Sequence, residues 1–320
     1  MCRCASCTAL RKAGRVEPSA ARILLDWRPD LLFTTTALAA AALYLAGVWR
    51  LRRAGVTWPV GRTVCWLAGT AVILVATGSG LARYAPVLFS AHMIAHMLTA
   101  MLAPILLVLG APITLALRAL PAGGDHRFPG PRAWLAAALH SRPVRLLSHP
   151  LVAAALWIGG LYVMYFSGAY EDALRNHPVH LAMYAHFILS GYLFFAILIG
   201  TDPLPRRQSP PTRMVLLLGA LVFHAFFGVA LMNTGTVIAA DWFTEIARPW
   251  GPDPLTDQRT GGGIAWAVGE APAVLVAVIL FRQWVRDDER EQRRLDRAAD
   301  RDGDAALEAY NAWLAGQPRR

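Results

Sequence analysis

Seven stretches of this 320-residue chain are each apolar for about the length a helix needs to cross a bilayer. They fall at 31–49, 64–80, 86–117, 149–167, 180–200, 213–233 and 263–282. In hydrocarbon no water is present to satisfy exposed backbone N–H and C=O groups. A segment that crosses must therefore bond its own backbone, and a run of about twenty apolar residues does so as an α-helix. The balance of residue types agrees: 56% are hydrophobic and 16% charged, against about 25% charged in soluble domains. The expected fold class is all-α, a polytopic integral membrane protein with seven transmembrane helices in one bundle. The expected division is an extracytoplasmic, mobile N-terminal extension (1–28), a membrane domain (29–283) and a charged cytoplasmic helical tail (284–320). Pro104 and Pro112 fall inside the long third run. They predict a kinked helix, or one whose last turns leave the membrane.

A net charge of +10 does not point to nucleic acid, because the cations sit in short segments between apolar runs and no nucleic-acid-binding signature accompanies them. Arg50, Arg52, Arg53 and Arg62 follow the first run, Arg118, Arg127, Arg132, Arg142 and Arg145 the third, and Arg206, Arg207 and Arg213 the fifth; the tail after the seventh is also arginine-rich. The alternate segments carry Arg83, then Arg175 beside Glu171 and Asp172, then an acidic stretch. Cytoplasmic loops accumulate cations, so this alternation predicts an outside N-terminus and a cytoplasmic C-terminus. Arg11, Lys12, Arg15, Arg22 and Arg28 argue the other way, and the agreement of the later loops outweighs them. The first twenty residues lack the apolar core and cleavage site of a signal peptide. "MCRCASC" spaces Cys2, Cys4 and Cys7 as C-x-C-x-x-C, compatible with thiolate capture of Cu(I) or zinc. Without a fourth ligand it reads as an extended or disordered start. Cys65 reads as packing.

The polar residues inside the apolar runs carry the functional question. "LFSAHMIAHMLTAML" (88–102) places His92 and His96 four apart, one turn from each other on one helix face. Two imidazoles so spaced can share a metal ion, and Met93 and Met97 add thioether sulfur, a mixture that suits Cu(I). By the i+1 spacing those methionines point away from the histidines, toward a second site or the lipid. With the orientation above, His92 and His96 lie in the outer half of the bilayer. The fifth run starts outside with His177 and His180 and places His186 slightly deeper. The sixth carries His224 near its middle and Met232 near its outer end, and the seventh enters with Glu270. Four spans thus deliver ligand-type residues to one layer, and His92, His96, His180, His186, His224, Met232 and Glu270 form the candidate metal set. Ionisable groups at that depth are functional candidates by default. His224 reads equally well as an interhelical hydrogen-bond donor, and Glu270 as a carboxyl paired with histidine or protonated. His149 reads as a boundary residue, His126 and His140 carry no role, and Met164 and Met214 read as packing.

Three functions fit these residues: a copper-holding protein, a haem-binding electron carrier in which His96 with His186 or His224 clamps a porphyrin, and a copper transporter. Few polar groups line the inner half, which ranks transport last. No nucleophile–base–acid arrangement points to covalent catalysis, so the chain is read as not an enzyme.

"YAPVLFSAHMIAHMLTAMLAPILLVLGAPITLALRALP", "HFILSGYLFFAILIGTDPLPRR", "FHAFFGVALMNTGTVIAADWF" and "DQRTGGGIAWAVGEAPA" together resemble the CtaG-type assembly factors of haem-copper cytochrome c oxidase, in their actinobacterial form. His92 and His96 match that family's H-x-x-x-H motif. Many actinobacterial relatives resemble fusions to an N-terminal CopD-like copper-transport domain, which this chain is expected to lack. The resemblance implies a multi-pass protein of the bacterial plasma membrane that helps copper reach the CuA centre of the oxidase. Its implied partners are cytochrome c oxidase subunit II or other copper chaperones, and the lipid bilayer.

Overall fold

The computed structural model describes residues 16–121, 123, 130–303 and 305–317, and all regular structure among them is helical. Cys2, Cys4 and Cys7, the cations Arg11, Lys12 and Arg15, and the loop residues His126 and Arg127 lie outside the described residues. After a short α1 (Ala20–Leu25), α2 (Leu31–Arg53) starts where the Asp30 carboxylate accepts the Phe33 N–H at 3.1 Å, a side-chain cap for an otherwise orphaned donor. Next come α3 (Val60–Gly78) and α4 (Gly80–Tyr84), joined through Ser79, then α5 (Phe89–Met97), a π-helical turn at Leu98–Leu102, α6 (Ala103–Leu109) and α7 (Pro112–Ala119). The short α8 (Pro131–Leu139) and α9 (Arg142–Leu147) lead into α10 (Pro150–Phe166) and α11 (Ala169–Arg175). Then α12 (His177–Ile199), α13 (Pro210–Asn233), α14 (Ala240–Ile246), α15 (Pro254–Asp302) and α16 (Ala305–Ala315) complete the chain.

Six of these helical stretches are long and apolar enough to cross a membrane, and seven if α10 and α11, bent by 74° at their junction, count as one span. The chain is therefore an all-helical membrane protein, and the expected fourth span is the bent pair. Leu43, Leu189, Val215 and Val274 are more than 60% exposed on the outside of the bundle, where hydrocarbon rather than water is their natural neighbour. The expected last span and the first part of the expected tail are one continuous helix: α15 starts nine residues before 263, runs through Pro272 and stops at Gly303, whose left-handed φ of 63° separates it from α16.

The two prolines of the third span act as their chemistry dictates. A proline at i cannot donate to the carbonyl at i−4. For Pro104 that carbonyl belongs to Ala100, inside the π turn, and the Trp157 indole N–H of α10 donates to it at 3.1 Å. For Pro112 it belongs to Val108, which accepts the Ala111 N–H at 3.0 Å and the Thr201 hydroxyl at 2.7 Å. Ala111 between the two segments is left-handed (φ 50°), so the helix breaks there and α7 begins afresh at Pro112.

Both fresh starts in this span are capped by carboxylates from distant elements. Asp202 accepts the Ile113 N–H (3.2 Å), the Thr114 N–H (2.7 Å) and the Thr114 hydroxyl (2.6 Å). Asp257, from the first turn of α15, accepts the Phe89 N–H (2.7 Å) and the Ser90 hydroxyl (2.5 Å), with an Arg248 guanidinium nitrogen 3.7 Å away. Asp257 is 2% exposed, and α15 packs along both α13 and α5. Removing one partner of a buried, hydrogen-bonded charge leaves the others unsatisfied. Asp257→Ala should therefore cost about 3 kcal/mol of stability, read as a lowered melting temperature of the detergent-purified protein. Asp288→Ala, on the exposed part of the same helix, should leave that temperature unchanged.

Candidate metal centre

α5 stands inside the bundle between the Asp257 cap and the π turn, and of its residues only Ile94 is exposed. His92 and His96 are each 1% exposed. The His92 Nε2 lies 2.7 Å from the Tyr165 hydroxyl, while its Nδ1 is buried without a hydrogen-bond partner. His96 has no partner on either ring nitrogen. Aromatic rings surround the pair: Phe187 lies 4.3 Å from His96 and Tyr170 4.6 Å from His92 between centroids, and Tyr165 touches both.

His224 enters from α13. It is 4% exposed, stacks on the Trp157 indole at 5.7 Å and 12°, and leaves Nε2 without a partner. The ring fits because residue 269 is glycine. A Cβ there would stand 2.8 Å from His224 Cε1 and 3.7 Å from Met97 Cε, so His224 and the Met97 thioether flank the same point on α15. His186 is half-buried, packs its ring against Gly160 of α10, and has an unpartnered Nε2. His96 lies within electrostatic reach of His92, His224 and His186, and His92 within reach of His180.

The other candidates stand around this group. His180 is half-buried, edge-on to Tyr184, and lines a cavity of about 220 Å³ with His177, Asp30, Arg28 and Arg83 at the end of the bundle. Met232 is half-buried near Gly263, about two turns along α13 from His224. Glu270 is exposed and lines an apolar cavity on the outside of the bundle that also reaches His224 and Trp266. Among the described residues, no three of His, Cys, Asp and Glu converge as a ready metal cage.

The structure adds residues that the spacing argument placed elsewhere or passed over. Met93 and Met97 are 0% and 4% exposed, so neither faces lipid. Tyr165, Tyr170 and Trp157 form the wall around the imidazoles; the run of aromatic residues in "LYVMYFSGAY" was the available signal for the tyrosines. Chemically, the group offers imidazole nitrogens and one thioether in a buried setting. Imidazole nitrogen with thioether sulfur suits copper better than it suits a hard, oxygen-seeking cation such as magnesium or calcium.

The sequence profile of a family described as cytochrome c oxidase caa3 assembly factor matches residues 42–287. Uncharacterized proteins of Mycobacterium bovis and Mycobacterium tuberculosis are each 46% identical over 298 residues, 93% of this chain and 45% of theirs. An uncharacterized protein of Mycobacterium leprae is 44% identical over the same length and shares. The chain thus spans about half the length of these curated relatives. No solved structure matches it significantly.

The fit of His224 against Gly269 is testable without a metal. Gly269→Ala should destabilise the purified protein by about 2 kcal/mol through overpacking. The same change in a His224→Ala background should cost little, because the clashing ring is gone. A double-mutant cycle on melting temperatures measures the difference; equal costs in both backgrounds would place the ring elsewhere.

Proposed function

Because the chain belongs to the cytochrome c oxidase caa3 assembly factor family, we propose that it holds Cu(I) within the membrane and passes it toward the CuA centre of the oxidase. In this reading it is not an enzyme; copper is its cargo. The observation that carries the proposal is His96, fully buried in a membrane bundle with neither ring nitrogen hydrogen-bonded. An unsatisfied polar group in such a place costs free energy, and a bound cation would offset that cost. Cu(I) is satisfied by two or three soft donors, so His96 with His92 or His224 and the Met97 sulfur suffices where a harder ion would need a fuller cage. His180, His186, Met232 and Glu270 stand around this group as ligands for arrival or departure.

Haem suits the site less well. A porphyrin needs a flat slot beside its axial histidine, whereas Phe187 and Tyr165 rings pack edge-on against His96. The partner we infer is subunit II of the oxidase or a copper chaperone serving it. The location we infer is the bacterial plasma membrane, with the histidine layer toward the outside, the N-terminus outside and the C-terminus cytoplasmic. This orientation rests on the arginine asymmetry. The arginine-bearing end of α2, Arg206 and Arg207 after the end of α12, and Arg213 at the start of α13 lie at the end of the bundle opposite His180.

His96→Leu, which roughly keeps the side-chain volume, should leave insertion and abundance unchanged. It should lower the copper bound by Cu(I)-loaded, detergent-purified protein by at least about tenfold at limiting copper, measured by metal analysis. Cells carrying the variant should make oxidase deficient in CuA, and added copper should partly restore it by mass action. Full copper content with normal oxidase would leave the pair as a packing feature. For orientation, Arg207→Cys and Glu245→Cys can be introduced singly into a cysteine-free background. A membrane-impermeant thiol reagent applied to whole cells should label position 245 and not 207; the reverse pattern would invert the topology.

A further inference from the structure

At the end of the bundle opposite the histidines, five arginines line one cavity of about 250 Å³: Arg206 and Arg207 from the α12–α13 segment, Arg213 from α13, and Arg286 and Arg290 from α15. Only two carboxylates share that wall, and both are engaged. Asp202 turns its oxygens to the start of α7, and Asp287 pairs with Arg290 at 3.2 Å. Among the described residues, Arg206, Arg207 and Arg286 form no ion pair.

The deepest member is built in rather than laid on the surface. Arg213 is 9% exposed, and its Nη1 donates to the Leu198 carbonyl (3.1 Å), the Ile199 carbonyl (3.4 Å) and Gln283 Oε1 (2.8 Å). Gln283 in turn donates from Nε2 to the Ile199 carbonyl at 3.0 Å. One nitrogen of the guanidinium thus fixes the last turn of α12, while Nε stays buried with no partner. A topological signal requires positive charge somewhere in a loop. It does not require five guanidiniums from three segments to face one space, nor one of them to be buried.

We propose that this cavity binds a phosphate-bearing anion. Guanidinium groups recognise phosphate oxygens through paired N–H···O bonds, and like charges held together are relieved by such a ligand. The cavity opens where α12 ends at Ile199 and α13 begins at Pro210, the level at which a span leaves hydrocarbon. The phosphate of an anionic lipid headgroup therefore reaches it without leaving the membrane, and basic pockets between spans are the expected receptors for such lipids. A free phosphate ion is the other source of the same chemistry. The site is separate from the histidine group, and its test does not involve copper.

The full chain in neutral detergent is melted at constant ionic strength in three conditions: with added phosphatidylglycerol, with added phosphatidylcholine, and with inorganic phosphate. Phosphatidylglycerol should raise the melting temperature by several degrees and phosphatidylcholine should not; an equal rise with inorganic phosphate would identify the free ion as ligand. Arg206→Gln with Arg207→Gln, both exposed at the mouth, should fold normally and lose at least half of the rise. Arg293→Gln with Arg294→Gln, on the exposed continuation of α15, should retain it. Arg213→Gln tests the buried donor, with the Arg206/Arg207 pair deciding the matter if that variant does not fold. No rise with either anion, or a rise that the mouth substitutions leave intact, would overturn the proposal.

Discussion

The organising constraint of this bundle is the interrupted backbone of its third span. A helix broken by a π turn and two prolines exposes carbonyls and N–H groups where no water is at hand, and each must find a donor or acceptor from the protein. Trp157 serves the carbonyl freed by Pro104, Thr201 the one freed by Pro112, and the carboxylates of Asp257 and Asp202 serve the N–H groups at the two fresh starts. These four side chains come from α10, the end of α12 and the start of α15. Satisfying one span's backbone therefore dictates which helices surround it and at what height.

The histidines inherit their surroundings from that arrangement. His92 stands one turn past the Asp257 cap, and His96 just before the π turn whose carbonyl holds Trp157. The same indole that bonds to Ala100 stacks on His224, so a single tryptophan both repairs the broken helix and positions an imidazole from another span. A π turn beside imidazoles that each keep at least one buried ring nitrogen without a partner fits the tendency of such bulges to occur at functional positions. Sensitivity to distant substitutions is one consequence: a shift in the third span's backbone moves His96 and His224 together.

Much of the plan was legible in the sequence because lipid solvates a helix in only one way. Apolar length located the spans, and the depth argument grouped His92, His96, His180, His186, His224, Met232 and Glu270 in one expected layer; of these, His92 and His96 pack against Tyr165 and His224 stacks on Trp157. The missed features share a different cause. Reasoning by helix face assumes one lipid-facing side, but α5 is enclosed on nearly all sides, so Met93 and Met97 point into protein although they flank the histidines. Asp257 falls outside the apolar run and reads as loop charge, since its partners at Phe89 and Ser90 are more than 160 residues away. Arg213 reads as a topological signal, because only the folded end of α12 supplies the carbonyls that bury it. Contacts between remote segments left no periodic trace.

α15 carries a mechanical consequence. Its 49 residues make a rod about 74 Å long at the usual helical rise, well over twice the thickness of the hydrocarbon core. Pro272 interrupts its hydrogen-bond ladder three residues beyond Gly269, the residue against which His224 and Met97 rest. From there to the end lie about 45 Å of helix. Simple lever geometry turns a tilt of about 10° at that proline into a displacement of about 8 Å at the tip. The helix that bounds the histidine group is thus also a long lever, whose far end moves by several ångströms for a small tilt beside Gly269.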